Sequence, residues 1–151
     1  MATTQQIEVP VGGDTAEVLP SGRIEVEPVV GDAYRVAVRG HKFLVDQPVG
    51  AGGADAGVTP VELFAASVAS CVAFYAGRYL QRHGISHEKL RVTAGFVMAP
   101  DRPARVGGIR VRITPPPELP EQRRTALLAV ASHCTVHNSL IQPPDVQVTL
   151  D

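Results

Sequence analysis

Residues 59–84, TPVELFAASVASCVAFYAGRYLQRHG, decide the fold, because they carry the start signals, the interior and the stop signal of one long helix. Thr59, Pro60 and Glu62 fit an N-cap, a proline at the first helical position and a capping-box acid. Gly84 fits the position just past the C-terminus. Between these signals lie about 24 residues, which would extend roughly 36 Å as a helix.

This predicted helix is apolar nearly all round until Arg78. The large apolar side chains before that point are Leu63, Phe64, Val68, Val72, Phe74 and Tyr75. A helix without a polar face is buried on most sides. Burying it that far is difficult within 151 residues, so we expect a partner subunit to cover part of it.

The residues before the helix predict a small sheet. Residues 23–30 and 34–39 are β-branched and roughly alternating, and Gly31-Asp32 joins them as a hairpin turn would. Residues 42–45 are a candidate third strand. Residues 46–58 are rich in Gly and Ala and predict an irregular loop, and its stretch at residues 50–57 is expected to be flexible.

The residues after the helix predict a second group of elements. Two strands are expected at residues 90–98 and 106–113, and a helix is expected at about residues 120–132. A short helical piece carrying Cys134 follows, and a final strand is expected at residues 146–150. Strands, helix, strands, helix and strand in that order indicate an α+β fold with antiparallel sheets, and not a βαβ repeat.

Length and composition indicate one domain, predicted at residues 21–151, preceded by an N-terminal arm at residues 1–20. Apolar residues make up 44% of the chain, charged residues 19%, and the net charge is -1. Such a balance gives no field that would attract nucleic acid or an anionic membrane. No signal peptide is visible, and the apolar stretch at residues 63–77, about 15 long, is shorter than the roughly 20 residues of a membrane helix. We therefore expect a cytoplasmic protein with no nucleic-acid or membrane partner.

The chain contains only two cysteines, Cys71 and Cys134, which lie 63 residues apart. In a reducing compartment two thiols on helices suggest redox chemistry more than a structural disulfide, although a buried thiol in an apolar core is the alternative for each. A reactive Cys71 lies mid-helix, so a nearby cation would have to lower its pKa. The candidate cations are Arg23, Arg35, Arg39 and Arg78.

Other chemistries have weaker signals. Zinc would need Cys134 and His137 together with His41 or Cys71, and no CxxC or HxxxH-plus-acid pattern supports such a site. A Cys-His hydrolase would need a nucleophile elbow or a Cys-His-Asn arrangement, and no motif marks one. The loop at residues 50–57 lacks the lysine of a phosphate-binding loop. We therefore expect no metal and no cofactor.

Two separated motifs resemble one family. The run GGADAGVTPVELFAASVASC at residues 52–71 is followed downstream by CTVHNSL at residues 134–140. These runs resemble the OsmC/Ohr family of organic hydroperoxide reductases. Members of that family carry a GG-x-D-x-G-x-x-P-x-E-L-L loop before a long helix and a reactive cysteine 11 residues after the proline, which is the spacing of Pro60 and Cys71. The upstream VRGHKFLVDQP, residues 38–48, is similar to the OsmC-like branch.

The resemblance implies a fold and a reaction. The fold would be α+β, an OsmC-like intertwined homodimer with antiparallel sheets, two central helices and active sites at the subunit interface. The reaction would be reduction of small organic hydroperoxides in oxidative stress defence. Cys71 would be the peroxidatic thiol that becomes a sulfenic acid, and Cys134 would be the resolving thiol that forms a disulfide with it. An external dithiol would then reduce that disulfide, with no metal, flavin or haem.

The chain also departs from the family pattern. Ohr-type enzymes have a glutamate directly after the proline, paired with an arginine, where this chain has Val61. Glu62 lies about 180° from Cys71 around the helix and fits the capping box better. Arg39 is our choice for the activating arginine. Thr135 stands where the motif prefers proline. These departures fit either a peroxidase with different activating residues or a relative that kept the fold and lost rate.

Apolar residues near the reactive thiol predict the kind of substrate. Phe64, Phe74 and Tyr75, with Leu63, favour bulky organic peroxides over hydrogen peroxide. Two alternatives remain open. One is a non-catalytic dimer of the same fold that binds a small lipophilic ligand in the apolar groove beside Cys71. The other is a thiol or lipoyl-handling redox protein without specificity for peroxides.

Overall fold

The computed structural model describes residues 22–151, so the predicted arm at residues 1–20 lies outside the described part of the chain. Five strands and three α-helices occur among these residues. They belong to two compact units, an N-terminal unit that ends at Glu62 and a C-terminal unit, Leu63–Asp151. The single domain expected over residues 21–151 stays a prediction.

The N-terminal unit contains a three-stranded antiparallel sheet. Its strands are β1 (Ile24–Val30), β2 (Ala33–Val38) and β3 (His41–Val45), in the order β1-β2-β3. Val36 is buried in the central strand, where it pairs with Val26 on one side and Phe43 on the other. The predicted hairpin and the predicted third strand are both confirmed.

A buried carboxylate organises the loop that follows β3. Asp46 is only 2% exposed. It accepts hydrogen bonds from the backbone N–H groups of Gln47 at 2.7 Å, Ala54 at 3.1 Å and Ala56 at 3.0 Å. The Ala56 bond above all, with the other two, holds the pKa of the Asp46 carboxyl below its ordinary value against the opposing effect of burial. The carboxylate therefore stays charged and closes the loop.

Two glycines let this loop fold tightly. A Cβ on Gly53 would lie 2.0 Å from the Gln47 carbonyl oxygen, and one on Gly57 would lie 2.2 Å from that of Leu44. Both separations are far below van der Waals contact, so only glycine fits. The Gly-rich composition predicted a flexible loop, whereas the structure has a packed one, because Asp46 supplies acceptors for its backbone.

The long helix has the predicted ends. Helix α1 spans Pro60–Arg82, and Gly84 follows with a φ of 68°. The Thr59 N–H donates to Glu62 Oε2 at 2.8 Å, and the Glu62 N–H donates to Thr59 Oγ1 at 3.1 Å. This reciprocal pair confirms the capping box and fixes the start of the helix.

Helix α1 is also long and apolar enough to cross a membrane. Its most apolar stretch has a mean hydropathy of 1.4, and 28% of that stretch is buried within the chain. The apolar run at residues 63–77 is shorter than this helix of 23 residues, which reaches the length that a membrane span requires. Its buried positions, however, pack into the core of the C-terminal unit, as in a folded domain. The apolar positions that stay exposed agree with the expected partner subunit.

The C-terminal unit places α1 with a strand pair and two shorter helices. Strands β4 (Arg91–Met98) and β5 (Val106–Thr114) are antiparallel. Helix α2 spans Arg124–Ser132 after a short 3₁₀ turn, so it begins four residues later than the sequence predicted. Helix α3 spans Thr135–Ile141. The architecture is α+β with antiparallel sheets, as predicted.

The predicted final strand at residues 146–150 is wrong for this chain alone. These residues have no regular secondary structure, and Val146, Val148 and Leu150 are 77%, 93% and 100% exposed. Their alternating pattern is typical of a strand, but a strand needs a neighbour for its backbone hydrogen bonds. Within the described residues the segment pairs with none.

One apolar cluster forms the core of the C-terminal unit. It contains four residues of α1, two of α2 and two from the connecting segments: Val72, Ala76, Tyr79, Leu80, Leu127, Ala131, Leu119 and Cys134. The α1 members recur at spacings of three and four, as one face of a helix must. Residues of β4 and β5 pack against the cluster, including Val92, Val111 and Ile113.

Candidate functional site

The fold brings the two cysteines together. Cys134 belongs to the core cluster of the C-terminal unit, and Cys71 packs against that same cluster from α1. Both are free thiols, and they differ in access: Cys134 is fully buried, whereas Cys71 is half-buried. A small molecule from solvent therefore reaches Cys71 before Cys134.

The surroundings of Cys134 keep it protonated. Burial raises the pKa of the Cys134 thiol, and the hydrogen bond and charge of Cys71 raise it further. The backbone N–H groups of His137 and Val136 act in the opposite direction but do not outweigh burial. The two cysteines are neighbours in the core of the C-terminal unit. The pair therefore consists of an accessible cysteine beside a buried one whose raised pKa favours the protonated thiol.

Local structure fixes the position of Cys134. It is the N-cap of α3, with extended backbone angles of φ -68° and ψ 155°, and its carbonyl accepts from the Asn138 N–H at 2.9 Å. The side chain of His137 bonds through Nδ1 to the Ser132 carbonyl. A carbonyl only accepts, so Nδ1 carries the proton and Nε2 is left as an acceptor in the neutral ring.

A hydrogen bond joins the two cysteine-bearing segments. The Tyr75 Oη and Thr135 Oγ1 atoms are 2.9 Å apart, although the residues are 60 positions apart in the sequence. Tyr75 lies one helical turn after Cys71, and Thr135 directly follows Cys134. This contact ties α1 to the start of α3 beside the two thiols.

Aromatic and basic residues follow Cys71 along α1. The rings of Phe74 and Tyr75 meet edge to face, with centroids 5.6 Å apart, and the Arg78 guanidinium carbon lies 5.6 Å from the Phe74 ring centre. They border a cavity of about 430 Å³, whose lining is Phe74, Tyr75, Arg78, Tyr79, Arg82, His83 and Val130.

A larger apolar groove, of about 530 Å³, lies among α1, β5, α2 and α3. Phe64, Val68 and Val72 of α1 form one wall, and Ser132 and His137 are its polar members. The three residues predicted to contact substrate are therefore divided. Phe64 lines this groove, whereas Phe74 and Tyr75 line the smaller cavity.

The predicted activating arginine lies in the N-terminal unit. Arg39 is exposed in the two-residue turn between β2 and β3, where it has a φ of 53°. Two other candidate cations have carboxylate partners within the sheet, Arg23 with Glu25 at 2.8 Å and Arg35 with Glu27 at 4.0 Å. The role of Arg39 toward Cys71 stays a prediction.

No metal centre is formed by the residues that the structure describes. Over residues 22–151 no group of three or more His, Cys, Asp or Glu side chains could hold an ion. Of the zinc ligands considered from the sequence, Cys134 and His137 are neighbours in the C-terminal unit, and His41 begins β3 in the N-terminal unit.

Sequence reasoning missed two features of the site. The Tyr75–Thr135 hydrogen bond was hidden because residues 60 positions apart carry no local signal of contact. A hydroxyl on Thr135, where the resembling motif prefers proline, was the available hint. The bond from His137 to Ser132 was also missed, because a histidine near a cysteine suggests a metal ligand before it suggests a helix anchor.

Comparison with known proteins gives a family match. The model of the family described as OsmC-like protein matches residues 52–149. That segment contains the later part of the loop after β3, all of α1 and both cysteines. No protein with a curated description matches the chain at a significant level.

Solved structures share the fold at low sequence identity. A protein from Psychrobacter arcticus 273-4, named for osmotic stress induction and detoxification response, superposes with a TM-score of 0.70 at 24% identity, over 77% of this chain and 85% of that one. An organic hydroperoxide resistance protein OsmC from Legionella pneumophila gives 0.59 at 20%, over 78% and 88%. The organic hydroperoxide resistance protein OhrB of Bacillus subtilis gives 0.58 at 18%, over 83% and 95%. At these identities the likeness concerns the fold.

Proposed function

This chain belongs to the OsmC-like family, and from that premise we propose that it is a thiol-dependent peroxidase that reduces organic hydroperoxides. Cys71 is the peroxidatic residue and Cys134 the resolving residue. The observation that carries the proposal is the pairing of the chain's only two cysteines, one accessible and one buried, in a single core. Two similar structures are named organic hydroperoxide resistance proteins, which supports a role in peroxide defence.

The first step consumes the peroxide. The Cys71 thiolate attacks the terminal oxygen of R–O–O–H, the O–O bond breaks, and a sulfenic acid forms on Cys71. The RO⁻ leaving group takes a proton and departs as the alcohol. Sulfur loses two electrons and the peroxide gains them. Cys71 is suited to this step because it is the more accessible thiol.

The second step forms the disulfide. Cys134 sulfur attacks the Cys71 sulfur, the S–O bond breaks, and hydroxide leaves as water with the proton of Cys134. The charge of the Cys71 thiolate, which helps to raise the pKa of Cys134, disappears when Cys71 becomes a sulfenic acid. Cys134 therefore ionises more readily once it is needed. An external dithiol restores both thiols by exchange.

Activation of Cys71 requires a cation, and we assign Arg39 to this role. Arg78 is the alternative from the same helix face. In the proposed homodimer, α1 would be covered further by a partner subunit. We propose a cytoplasmic location, where dithiol reductants are available.

The preferred substrates are bulky organic peroxides. Cys71 lies on α1 between Phe64 and Phe74, which border the larger groove and the smaller cavity respectively. Both spaces have apolar walls that would desolvate an alkyl or aryl group. Equal initial rates with hydrogen peroxide and cumene hydroperoxide would contradict this preference.

The test is free-thiol content and intact mass of the reduced protein, before and after one equivalent of cumene hydroperoxide. Loss of both thiols with a mass decrease of about 2 Da per chain supports the two-cysteine mechanism. Cys71→Ser should abolish peroxide consumption, whereas Cys134→Ser should react once and stop. Peroxide consumption by Cys71→Ser at the wild-type rate would end the proposal.

A second candidate function rests on the groove. A space of about 530 Å³ with one apolar wall from α1 can hold a lipophilic ligand without any thiol chemistry. Val61, in place of the acid typical of Ohr-type enzymes, would then reflect lost catalysis. Two unreacted thiols after peroxide treatment, together with saturable binding of a fluorescent fatty acid, would favour this function.

A further inference from the structure

We infer that Tyr75 is a positioning residue, which holds Cys134 against Cys71 through its hydrogen bond to Thr135. The inference rests on the proposed two-cysteine reaction and concerns its second step. The bond is 2.9 Å long and joins the turn of α1 that follows Cys71 to the residue that follows Cys134.

Helix α3 has few other polar anchors. The side chains of His137 and Asn138 form hydrogen bonds with the carbonyls of Ser132 and His133, which lie directly before α3 in the sequence. Among the described residues, and apart from the interaction of the two thiols themselves, Tyr75–Thr135 is the only side-chain hydrogen bond between α1 and the segment that carries Cys134. The other polar contacts of α3 therefore leave its distance from α1 unfixed.

The apolar contacts of α3 are also limited. The helix has seven residues, and Leu140 and Ile141 near its end are 42% and 66% exposed. So short a helix is marginal without tertiary support. The hydroxyl pair supplies that support at the end of α3 where Cys134 lies.

Position matters because disulfide formation has strict geometric demands. The Cβ atoms must approach to about 3.5–4.5 Å, with a restricted dihedral angle about the S–S bond. A small displacement of α3 along α1 would leave the sulfurs in the core but out of line for attack. In the reaction, the bond from Cys134 sulfur to Cys71 sulfur forms as the S–O bond of the sulfenic acid breaks, and water leaves.

The test uses variants that remove the hydrogen bond and keep the shape. Tyr75→Phe keeps the ring, Thr135→Val is nearly isosteric, and Thr135→Ser keeps a hydroxyl as the conservative control. Thr135→Pro is a further probe, because Thr135 is the first residue of α3, a position that accepts proline without loss of helix. Circular dichroism would show that each variant is folded.

The readout separates the two chemical steps in a single turnover with cumene hydroperoxide. Peroxide loss should stay within about twofold of wild type in the Thr135 variants, because Thr135 lines neither the larger groove nor the smaller cavity. Tyr75 lines the smaller cavity, so for Tyr75→Phe only the disulfide step is compared. Disulfide formation should slow about tenfold in Tyr75→Phe, Thr135→Val and Thr135→Pro, the loss expected for one ordinary hydrogen bond. Thr135→Ser should form the disulfide at about the wild-type rate. The double variant Tyr75→Phe with Thr135→Val should form it no more slowly than either single variant.

Disulfide formation at the wild-type rate in Tyr75→Phe and Thr135→Val would overturn the inference. A double variant whose rate falls by the product of the two single effects would overturn it too, because the two residues would then act independently.

A second measurement needs no peroxide. The equilibrium of the Cys71–Cys134 disulfide with a glutathione redox buffer gives the effective concentration of the two thiols, which should fall about tenfold in the same variants. If the wild type does not react with peroxide and the variants still show this fall, the proposed function is wrong and the positioning role of Tyr75 is supported.

Discussion

The burial of Cys134 gives the protein a specific response to alkaline pH. Because burial raises the pKa of this thiol in the folded state, the proton is held more tightly there than in the unfolded chain. The resulting stability is fully present below the unfolded value of roughly 8.5 and is lost as pH rises through the folded pKa. Urea midpoints of the reduced protein should therefore fall above about pH 8.5 more steeply than those of Cys134→Ala. Parallel pH profiles would contradict this.

The lowered pKa of Asp46 predicts a loss of stability at acid pH, opposite to the alkaline loss expected from Cys134. Its pKa is lowered in the folded state, chiefly by the Ala56 N–H, so its contribution to stability is present above the unfolded value and is lost as pH falls through the folded pKa. Asp46→Asn should lower the urea midpoint at pH 7, because an amide offers a donor where the loop offers only N–H groups. It should also remove part of the acid-induced loss.

Asp55→Asn is the matched control for Asp46. Asp55 is exposed in the same loop with a φ of 54°, a conformation that asparagine tolerates as well as aspartate. Its replacement should leave both the midpoint and its pH dependence nearly unchanged. An equal loss in the two variants would show that the loop is sensitive to any change of charge, and that Asp46 has no special place in it.

The loop that precedes α1 is a packed element, and its glycines test that description. Gly53→Ala should destabilise the protein by about 1–3 kcal/mol, because the added methyl meets the Gln47 carbonyl oxygen at 2.0 Å and backbone must move. Gly50→Ala should change the free energy of unfolding by less than about 0.5 kcal/mol, because nothing lies within 4 Å of its added Cβ. Urea denaturation of the two variants measures both. Similar free energies of unfolding for the two variants would mean that the loop backbone moves to accommodate the added methyl group at little cost.

The elements that sequence reasoning predicted well are those with local signals. The capping box, the glycine after the helix and the alternating strands each depend on neighbours a few residues away. The Gly-rich loop was misjudged because its order comes from one carboxylate that reaches eight and ten residues along the chain. The strand at residues 146–150 failed for a related reason, since an alternating pattern predicts a strand only where a neighbouring edge exists.

The site follows the same division. The pattern of α1 and the resemblance predicted the two thiols, and the fold places them in one core. The contact between Tyr75 and Thr135 depends on how α3 returns to α1, which no spacing in the sequence encodes. The three aromatic residues predicted to line one site line two cavities, because positions 64 and 74 lie about 15 Å apart along a helix.

The apolar surface that one chain leaves uncovered makes a final prediction for the whole protein. Leu63, Phe64 and Phe74 of α1 are 36%, 40% and 57% exposed, and the helix is apolar enough to span a membrane. An exposed apolar helix face of this kind is expected to pack against a second copy of the chain.

Light scattering after gel filtration should give about 32 kDa, twice the chain mass of 16.0 kDa. Phe64→Glu should shift this mass toward the monomer, because a carboxylate cannot be buried there without a partner charge. The helix positions three and four residues away carry no cation: Pro60, Val61, Ser67 and Val68. Gln122→Glu, which adds the same charge at an exposed position before α2, should leave the dimer intact. A wild type of 16 kDa would mean that the exposed face of α1 stays in solvent and that the site is complete in one chain.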